Sequence, residues 1–96
     1  MEFEQLTIND VILIKPNVFE DNRGHFFESF HSQKMYESIS QINSIHWPLN
    51  PSHFVQENIA YNNNENIIRG LHFQKSQPQG KLVRVVNGGV LDVVVD

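Results

Sequence analysis

Two valine-rich runs separated by a glycine pair constrain the fold of this chain more than any other part of its sequence. The runs cover residues 82–86 and 90–95, and Asn87, Gly88 and Gly89 lie between them. β-Branched residues favour extended strands, whereas Asn and Gly accept the backbone angles of tight hairpin turns. The sequence therefore predicts an antiparallel β-hairpin at this position.

The same signals predict four more strands earlier in the chain. One is the run 11–15, which Pro16 closes, and another is the aromatic run 25–30, which follows turn residues at 20–24. Two further β-rich runs, 54–60 and 67–74, flank a polar turn. The sequence thus predicts about six short strands.

A single short helix is predicted between the second and third of these strands. Ser32 is a candidate N-cap for a helix over residues 33–39, in which Met35 and Ile39 stand four residues apart on one side. About six strands and one helix indicate an all-β antiparallel barrel or sandwich. Because the chain stops on the apolar run 90–95, we expect residues 1–96 to be a single incomplete domain, the amino-terminal part of a longer one.

Composition excludes several classes of function. The formal net charge is −4 and the seven Lys and Arg residues are scattered, so the chain offers no general attraction for nucleic acid or an anionic membrane. The absence of cysteine excludes a disulfide framework and a thiolate nucleophile. The amino terminus is unlike a signal peptide and no apolar run has transmembrane length, so we expect a soluble cytoplasmic protein.

The chemistry of the chain is concentrated between residues 67 and 86, which contain Arg69, His72 and Lys81. Strand alternation would turn Lys81 toward a largely apolar interior, whereas Arg69 and His72 have opposite parity. A bulge at Gly70 would re-aim one of those two side chains, and periodicity alone does not decide this. A single strand histidine is more often a surface residue than a catalytic one.

Five motifs, in order, resemble the dTDP-4-dehydrorhamnose 3,5-epimerase family, and the likeness runs from about residue 11 to residue 96. They are Arg23-Gly-His-Phe26-Phe-Glu28, Phe54-Val-Gln56-Glu-Asn58, Arg69-Gly-Leu-His72-Phe-Gln74, Gln79-Gly-Lys81-Leu-Val-Arg84 and Asp92-Val-Val-Val-Asp96. The resemblance implies a cupin-like jelly-roll barrel and a homodimer. It also implies a nucleotide-sugar epimerase that inverts C3 and C5 of a dTDP-4-keto-6-deoxy sugar in rhamnose synthesis, with neither a metal nor a nicotinamide cofactor.

The resemblance also implies a role for each matched residue. His72 corresponds to the base that removes protons beside the keto carbon, Lys81 to the lysine that lies near the keto oxygen, and Arg69 to the arginine that is expected to bind diphosphate. A histidine accepts protons near neutrality, a cation stabilises an enolate, and a guanidinium fork suits phosphate oxygens. The nucleotide clamp, part of which a partner subunit supplies in the family, corresponds to Arg23, Phe26, Glu28, Gln56 and Asn58.

Some features depart from the family pattern and leave alternatives open. The tyrosine that acts as general acid and the aspartate that orients the base would lie beyond Asp96, and neither Tyr36 nor Tyr61 matches that acid. We therefore expect the 96-residue form to be weakly active or inactive alone. The link from His72 to Lys81 is one residue shorter than usual, a difference that a loop around residues 77–78 should absorb.

Two rival functions remain at this level. One is a non-catalytic remnant that still binds thymidine nucleotide, and the other is a related enzyme that epimerises one carbon or moves the ketone. Metal catalysis is disfavoured, because metal-binding cupins typically use a His-x-His pair and this sequence contains none.

Overall fold

The structure, a computed structural model, describes residues 1–42 and 54–96. The chain divides into two compact units, Met1–Asn58 and Ile59–Asp96. The regular elements of the described residues all lie in the first unit, and strands outnumber helices among them. In chain order they are β1 (Glu2–Gln5), β2 (Ile12–Lys15), β3 (Val18–Asp21), β4 (Gly24–Phe27) and α1 (Ser32–Ser40).

Strands β1 and β2 form a two-stranded antiparallel sheet. Phe3 pairs with Ile14 and Gln5 pairs with Ile12, so Phe3, Ile12 and Ile14 share one face of the sheet. The connection is closed by a hydrogen bond of 2.9 Å from the Leu6 N–H to the Val11 carbonyl. The strand predicted over residues 11–15 is thereby confirmed, and it pairs with a first strand that the sequence did not predict.

Helix α1 confirms the predicted helix over residues 33–39, but its N-cap is His31 rather than Ser32. His31 has an extended backbone, and its Nδ1 accepts a hydrogen bond of 3.3 Å from the Lys34 N–H. The prediction of Ser32 as N-cap was wrong because the imidazole nitrogen satisfies a free N–H of the first turn, and Ser32 is already helical.

The core of the first unit lies where α1 packs on the β1–β2 sheet. Met35 and Ile39 are each 5% exposed, and they are the buried hydrophobic residues of the described chain. Their four-residue spacing places them on one helix face, as predicted. Four half-buried side chains pack against them: Phe3, Ile12, Ile14 and Ile42. Burying an apolar side chain of this size contributes about 1.5–3 kcal/mol, so this core fixes α1 on the sheet.

Strands β3 and β4 form a second antiparallel sheet, a hairpin in which Phe19 faces Phe26 and Asp21 faces Gly24. The predicted turn at residues 20–24 lies at its end, where Gly24 has a φ of 135° that favours glycine. Strand β3 was not predicted, because Glu20 and Asp21 are poor strand formers and were assigned to the turn. Pairing with β4 overrides that preference.

The second unit has neither a strand nor a helix in residues 59–96, and its side chains are exposed. The strands predicted at 67–74, 82–86 and 90–95 are thus not present, and neither is the strand predicted at 54–60. β-Branched composition favours an extended backbone, but a strand also needs a hydrogen-bonded neighbour. The hairpin predicted around residues 87–89 is therefore not formed, although Gly88 has a positive φ of 83°.

The coarse fold prediction agrees with this structure, since the described residues contain two antiparallel sheets and one short helix. A closed barrel is not present among residues 1–42 and 54–96. Within the same residues, no helix combines the length and the apolar character needed to cross a membrane.

Candidate functional site

The turn of the β3–β4 hairpin holds Arg23 in a fixed direction. The Arg23 backbone N–H donates to Asp21 Oδ1 at 2.9 Å, and its Nε donates to Asp21 Oδ2 at 3.0 Å. Its Nη2 forms an ion pair of 2.5 Å with the same oxygen. These contacts lower the pKa of the Asp21 carboxyl below its ordinary value and raise that of the guanidinium. One edge of the Arg23 guanidinium is therefore engaged by a carboxylate.

Phe26 lies on the hairpin beside this turn and is exposed. It stands directly opposite Phe19 in the strand register, so two aromatic rings emerge from the same face. An open cleft of about 550 Å³ is lined by hairpin residues 19–21 and 23–26. An exposed aromatic ring beside an arginine can stack on a planar base while the cation meets a phosphate.

Glu28 is the first residue after β4 and is half-buried. Its Oε1 accepts a hydrogen bond of 2.7 Å from the Lys34 ammonium, on α1. That bond is the main reason why the pKa of Glu28 is lowered, and the nearby charges of Lys34, His31 and the amino terminus act in the same direction. The carboxylate is thus held in its ionised, acceptor form.

Gln56 and Asn58 lie in an irregular segment at the end of the first unit, and both are exposed. The start of this segment is placed by a ring contact: Phe54 meets Phe30 edge to face, with centroids 6.0 Å apart. Phe30 follows Glu28 by two residues, and Gln56 follows Phe54 by two. The contact therefore joins the two segments from which these polar side chains extend.

Arg69, in the second unit, is held by an amide oxygen. Its Nε and Nη2 donate to Asn62 Oδ1 at 3.0 Å and 2.7 Å. Asn62 is neutral, so this contact orients the guanidinium without neutralising its charge. Arg69 differs in this respect from Arg23, whose partner is a carboxylate.

Two residues before His72 stands Gly70, whose backbone conformation favours glycine. Gly70 has a φ of 113°, and a Cβ built there would lie 3.5 Å from the His72 nitrogen and 3.7 Å from its Nδ1. The imidazole therefore lies close to the backbone of Gly70. The predicted bulge is not formed, because no ladder surrounds this residue, yet Gly70 does permit a bend between Arg69 and His72.

Lys81 lies beyond a loop that a side-chain hydrogen bond closes. Gln74 Nε2 donates to Gln79 Oε1 at 3.2 Å, and Gln77 within the loop has a φ of 56°. A loop is thus present around residues 77–78, where one was expected. Lys81 itself is exposed, so the predicted apolar surroundings are not present among the described residues.

The eight candidate residues fall into two groups, with the clamp residues in Met1–Asn58 and Arg69, His72 and Lys81 in Ile59–Asp96. In the described chain, no hydrogen bond or ion pair joins one of the eight to another. Sequence reasoning missed the hydrogen-bonding partners of Arg23, Glu28 and Arg69. These partners are Asp21, Lys34 and Asn62, respectively. Only Asp21 carried a signal, since Asp two residues before Arg in a turn commonly accepts from the backbone.

Comparison with known proteins decides the family of the chain. A family model described as dTDP-4-dehydrorhamnose 3,5-epimerase matches residues 5–96. The chain belongs to the dTDP-4-dehydrorhamnose 3,5-epimerase family. No solved structure matches it.

Two relatives show how closely the chain follows this epimerase family. It is 43% identical over 96 residues to a dTDP-4-dehydrorhamnose 3,5-epimerase of Pseudomonas aeruginosa, covering 100% of this chain and 48% of the relative. It is 40% identical over 94 residues to one of Methanothermobacter thermautotrophicus, covering 98% and 45%. The chain spans about half the length of these relatives.

A more distant relative bears a different name. It is a dTDP-4-dehydrorhamnose 3-epimerase of Streptomyces niveus, 33% identical over 97 residues, with 100% of this chain and 42% of the relative covered. The epimerase family resemblance found in the sequence motifs is confirmed by these matches.

Proposed function

We propose that this protein epimerises a dTDP-4-keto-6-deoxy sugar at C3 and C5, with His72 as the base, as in dTDP-rhamnose synthesis. The observation that carries the proposal is the family match over residues 5–96, which includes all eight candidate residues. The proposed substrate is dTDP-4-keto-6-deoxyglucose, and the product is its epimer, dTDP-4-dehydrorhamnose.

The chemistry follows from the position of the ketone. C3 and C5 both adjoin C4, so removing a proton from either carbon forms an enolate whose charge rests on the C4 oxygen. His72 takes the proton, and the Lys81 ammonium stabilises the oxygen as its charge develops. Inversion requires that a proton returns to the opposite face of the sugar. The same deprotonation and reprotonation at the second carbon complete the reaction.

The two arginines suit different parts of the nucleotide. Arg69 keeps its full charge beside neutral Asn62, which favours the diphosphate as its ligand. Arg23 is partly neutralised by Asp21, which favours a weaker contact on the nucleotide beside Phe26. Phe26 would stack on thymine, and Glu28, Gln56 and Asn58 would supply its hydrogen-bonding partners.

The reaction is tested by incubating the protein with dTDP-4-keto-6-deoxyglucose in deuterium oxide. The proposal predicts deuterium at both C3 and C5 together with formation of the epimer, detected by NMR. Because we expect the 96-residue form to be at most weakly active, exchange above the rate without protein would already support the proposal. Binding of dTDP with no exchange above that rate would instead indicate a nucleotide-binding protein without catalysis.

A one-carbon reaction is the second candidate, and the Streptomyces niveus relative named as a 3-epimerase favours it. The same experiment separates the two, because deuterium would then enter C3 and not C5.

Family membership over residues 5–96 also supports a cupin-like jelly roll and a homodimer as part of the proposal. Light scattering of the purified protein tests the dimer, since the molar mass in solution should then be twice that of one chain.

A further inference from the structure

We propose that Lys34 is a positioning residue that holds the Glu28 carboxylate ready for the nucleotide. The inference rests on the proposed function, in which Glu28 belongs to the nucleotide clamp. The observation behind it is the 2.7 Å ion pair between the Lys34 ammonium and Glu28 Oε1, which joins helix α1 to the end of β4.

The backbone of Lys34 is fixed at two points. Its N–H donates to the His31 side chain at the start of α1, and the next residue, Met35, is buried in the core against the β1–β2 sheet. The ammonium thus extends from a position that the helix cap and the core both determine. A cation anchored in this way can orient its partner.

Glu28 lacks such an anchor of its own. Strand β4 ends at Phe27, so the strand ladder does not determine the position of Glu28. Within the described residues, its side-chain hydrogen bond is the one from Lys34. The direction of the carboxylate therefore depends on a residue of the helix six positions later.

The ion pair also determines what Glu28 can bind. An ionised carboxylate only accepts hydrogen bonds, so it would favour the N–H of a base or the hydroxyl of a sugar. The charges that favour this form are Lys34, His31 and the amino terminus, of which Lys34 acts most strongly. With Oε1 occupied by Lys34, Oε2 remains to accept from the ligand.

A matched ion pair elsewhere in the first unit provides a control. Lys15 Nζ lies 2.5 Å from Glu4 Oε2 on the β1–β2 sheet, and its side chain is 52% exposed, compared with 55% for Lys34. Neither Lys15 nor Glu4 is a candidate site residue. Losing this second pair removes the same kind of surface interaction without affecting the clamp.

The experiment measures dTDP binding by titration calorimetry for the wild type and for Lys34→Met, Lys34→Arg and Lys15→Met. We expect Lys34→Met to raise the Kd about two- to fivefold, the range of an exposed ion pair. Lys34→Arg should restore binding, and Lys15→Met should match the wild type. In turnover, the loss should appear in KM and leave kcat unchanged.

The outcomes separate this inference from the proposed function. Wild-type protein that binds dTDP, together with Lys34→Met that binds equally well, would overturn the role of Lys34 and leave the epimerase proposal intact. Equal losses in Lys34→Met and Lys15→Met would also overturn it, since the effect would be a general one. Failure of the wild type to bind dTDP would overturn the proposed function and this inference together.

Discussion

Asp21 and Arg23 form a fork of hydrogen bonds across the turn of the β3–β4 hairpin. Asp21 Oδ1 accepts from the Arg23 backbone at 2.9 Å while Oδ2 accepts from its guanidinium at 3.0 Å, so one carboxylate fixes both the turn and the side chain. Because Arg23 is a candidate ligand residue, the same contact that stabilises the hairpin also restrains how the cation meets a nucleotide.

Low pH should break the hydrogen bonds between Asp21 and Arg23. The contacts with Arg23 lower the pKa of Asp21 below its ordinary value of 3.8 in the folded chain. A lowered folded pKa means that the stabilisation is present above the unfolded value and is lost as the pH falls through the folded one. We predict that the Arg23 amide resonance is constant from neutrality to about pH 4 and shifts below that. The step should be absent in Asp21→Asn, and a shift centred above the ordinary value of 3.8 would contradict the assignment.

Removing Arg69 should weaken nucleotide binding more than removing a comparable arginine. Hydrogen bonds to charged groups contribute about 1.5–3 kcal/mol, so Arg69→Ala should raise the Kd for dTDP by about 10- to 100-fold. Arg69→Lys should recover only part of this, because an ammonium cannot reproduce the planar fork that Asn62 orients. Arg84→Ala, an exposed arginine of the same unit, should bind as the wild type does. Equal losses in the two alanine variants would contradict a specific role for Arg69.

Gly70 should tolerate no side chain, whereas Gly89 should. The φ of 113° at Gly70 is a conformation that costs other residues about 1–3 kcal/mol, although a methyl group there would make only ordinary van der Waals contacts with His72. Gly70→Ala should therefore move the backbone next to His72 and lower the rate of proton exchange. Gly89 has no such φ and no atom within 4 Å of a built Cβ, so Gly89→Ala serves as the control. Equal exchange rates for Gly70→Ala and the wild type would refute this coupling.

The sequence predicted helix α1 and its buried face because both depend on local spacing. Met35 and Ile39 are four residues apart, and that separation alone places them on one side of a helix. The N-cap was harder to predict, since His31 and Ser32 both offer an acceptor and only the backbone conformation decides between them.

Strands were less predictable because they depend on neighbours that are distant in sequence. Residues 82–86 and 90–95 have strong β propensity, yet they lie exposed and unpaired in the described structure. Val18–Asp21 has weak propensity at its acidic end and is a strand because β4 supplies its partner. Composition measures the tendency to extend, whereas pairing determines the strand.

The candidate site was predicted in its residue types but not in its contacts. The motif around Arg69 and His72 indicated binding and proton transfer, whereas the bulge expected at Gly70 is not formed, although this glycine does have a positive φ. The contacts of Arg69 with Asn62 and of Glu28 with Lys34 each join residues six or seven positions apart, and no single helix or strand contains both members of either pair. No periodic pattern marks such pairs.

The central claim, that His72 is the base, is tested most directly by solvent deuterium uptake with His72→Asn. Losing a general base typically lowers the rate by about 10²–10⁴-fold, so uptake at C3 and C5 should fall by that factor while dTDP binding is retained. The matched control is His46→Asn, which replaces a histidine outside the five motifs, so uptake should be unchanged. Uptake in His72→Asn equal to that of the wild type would contradict the account.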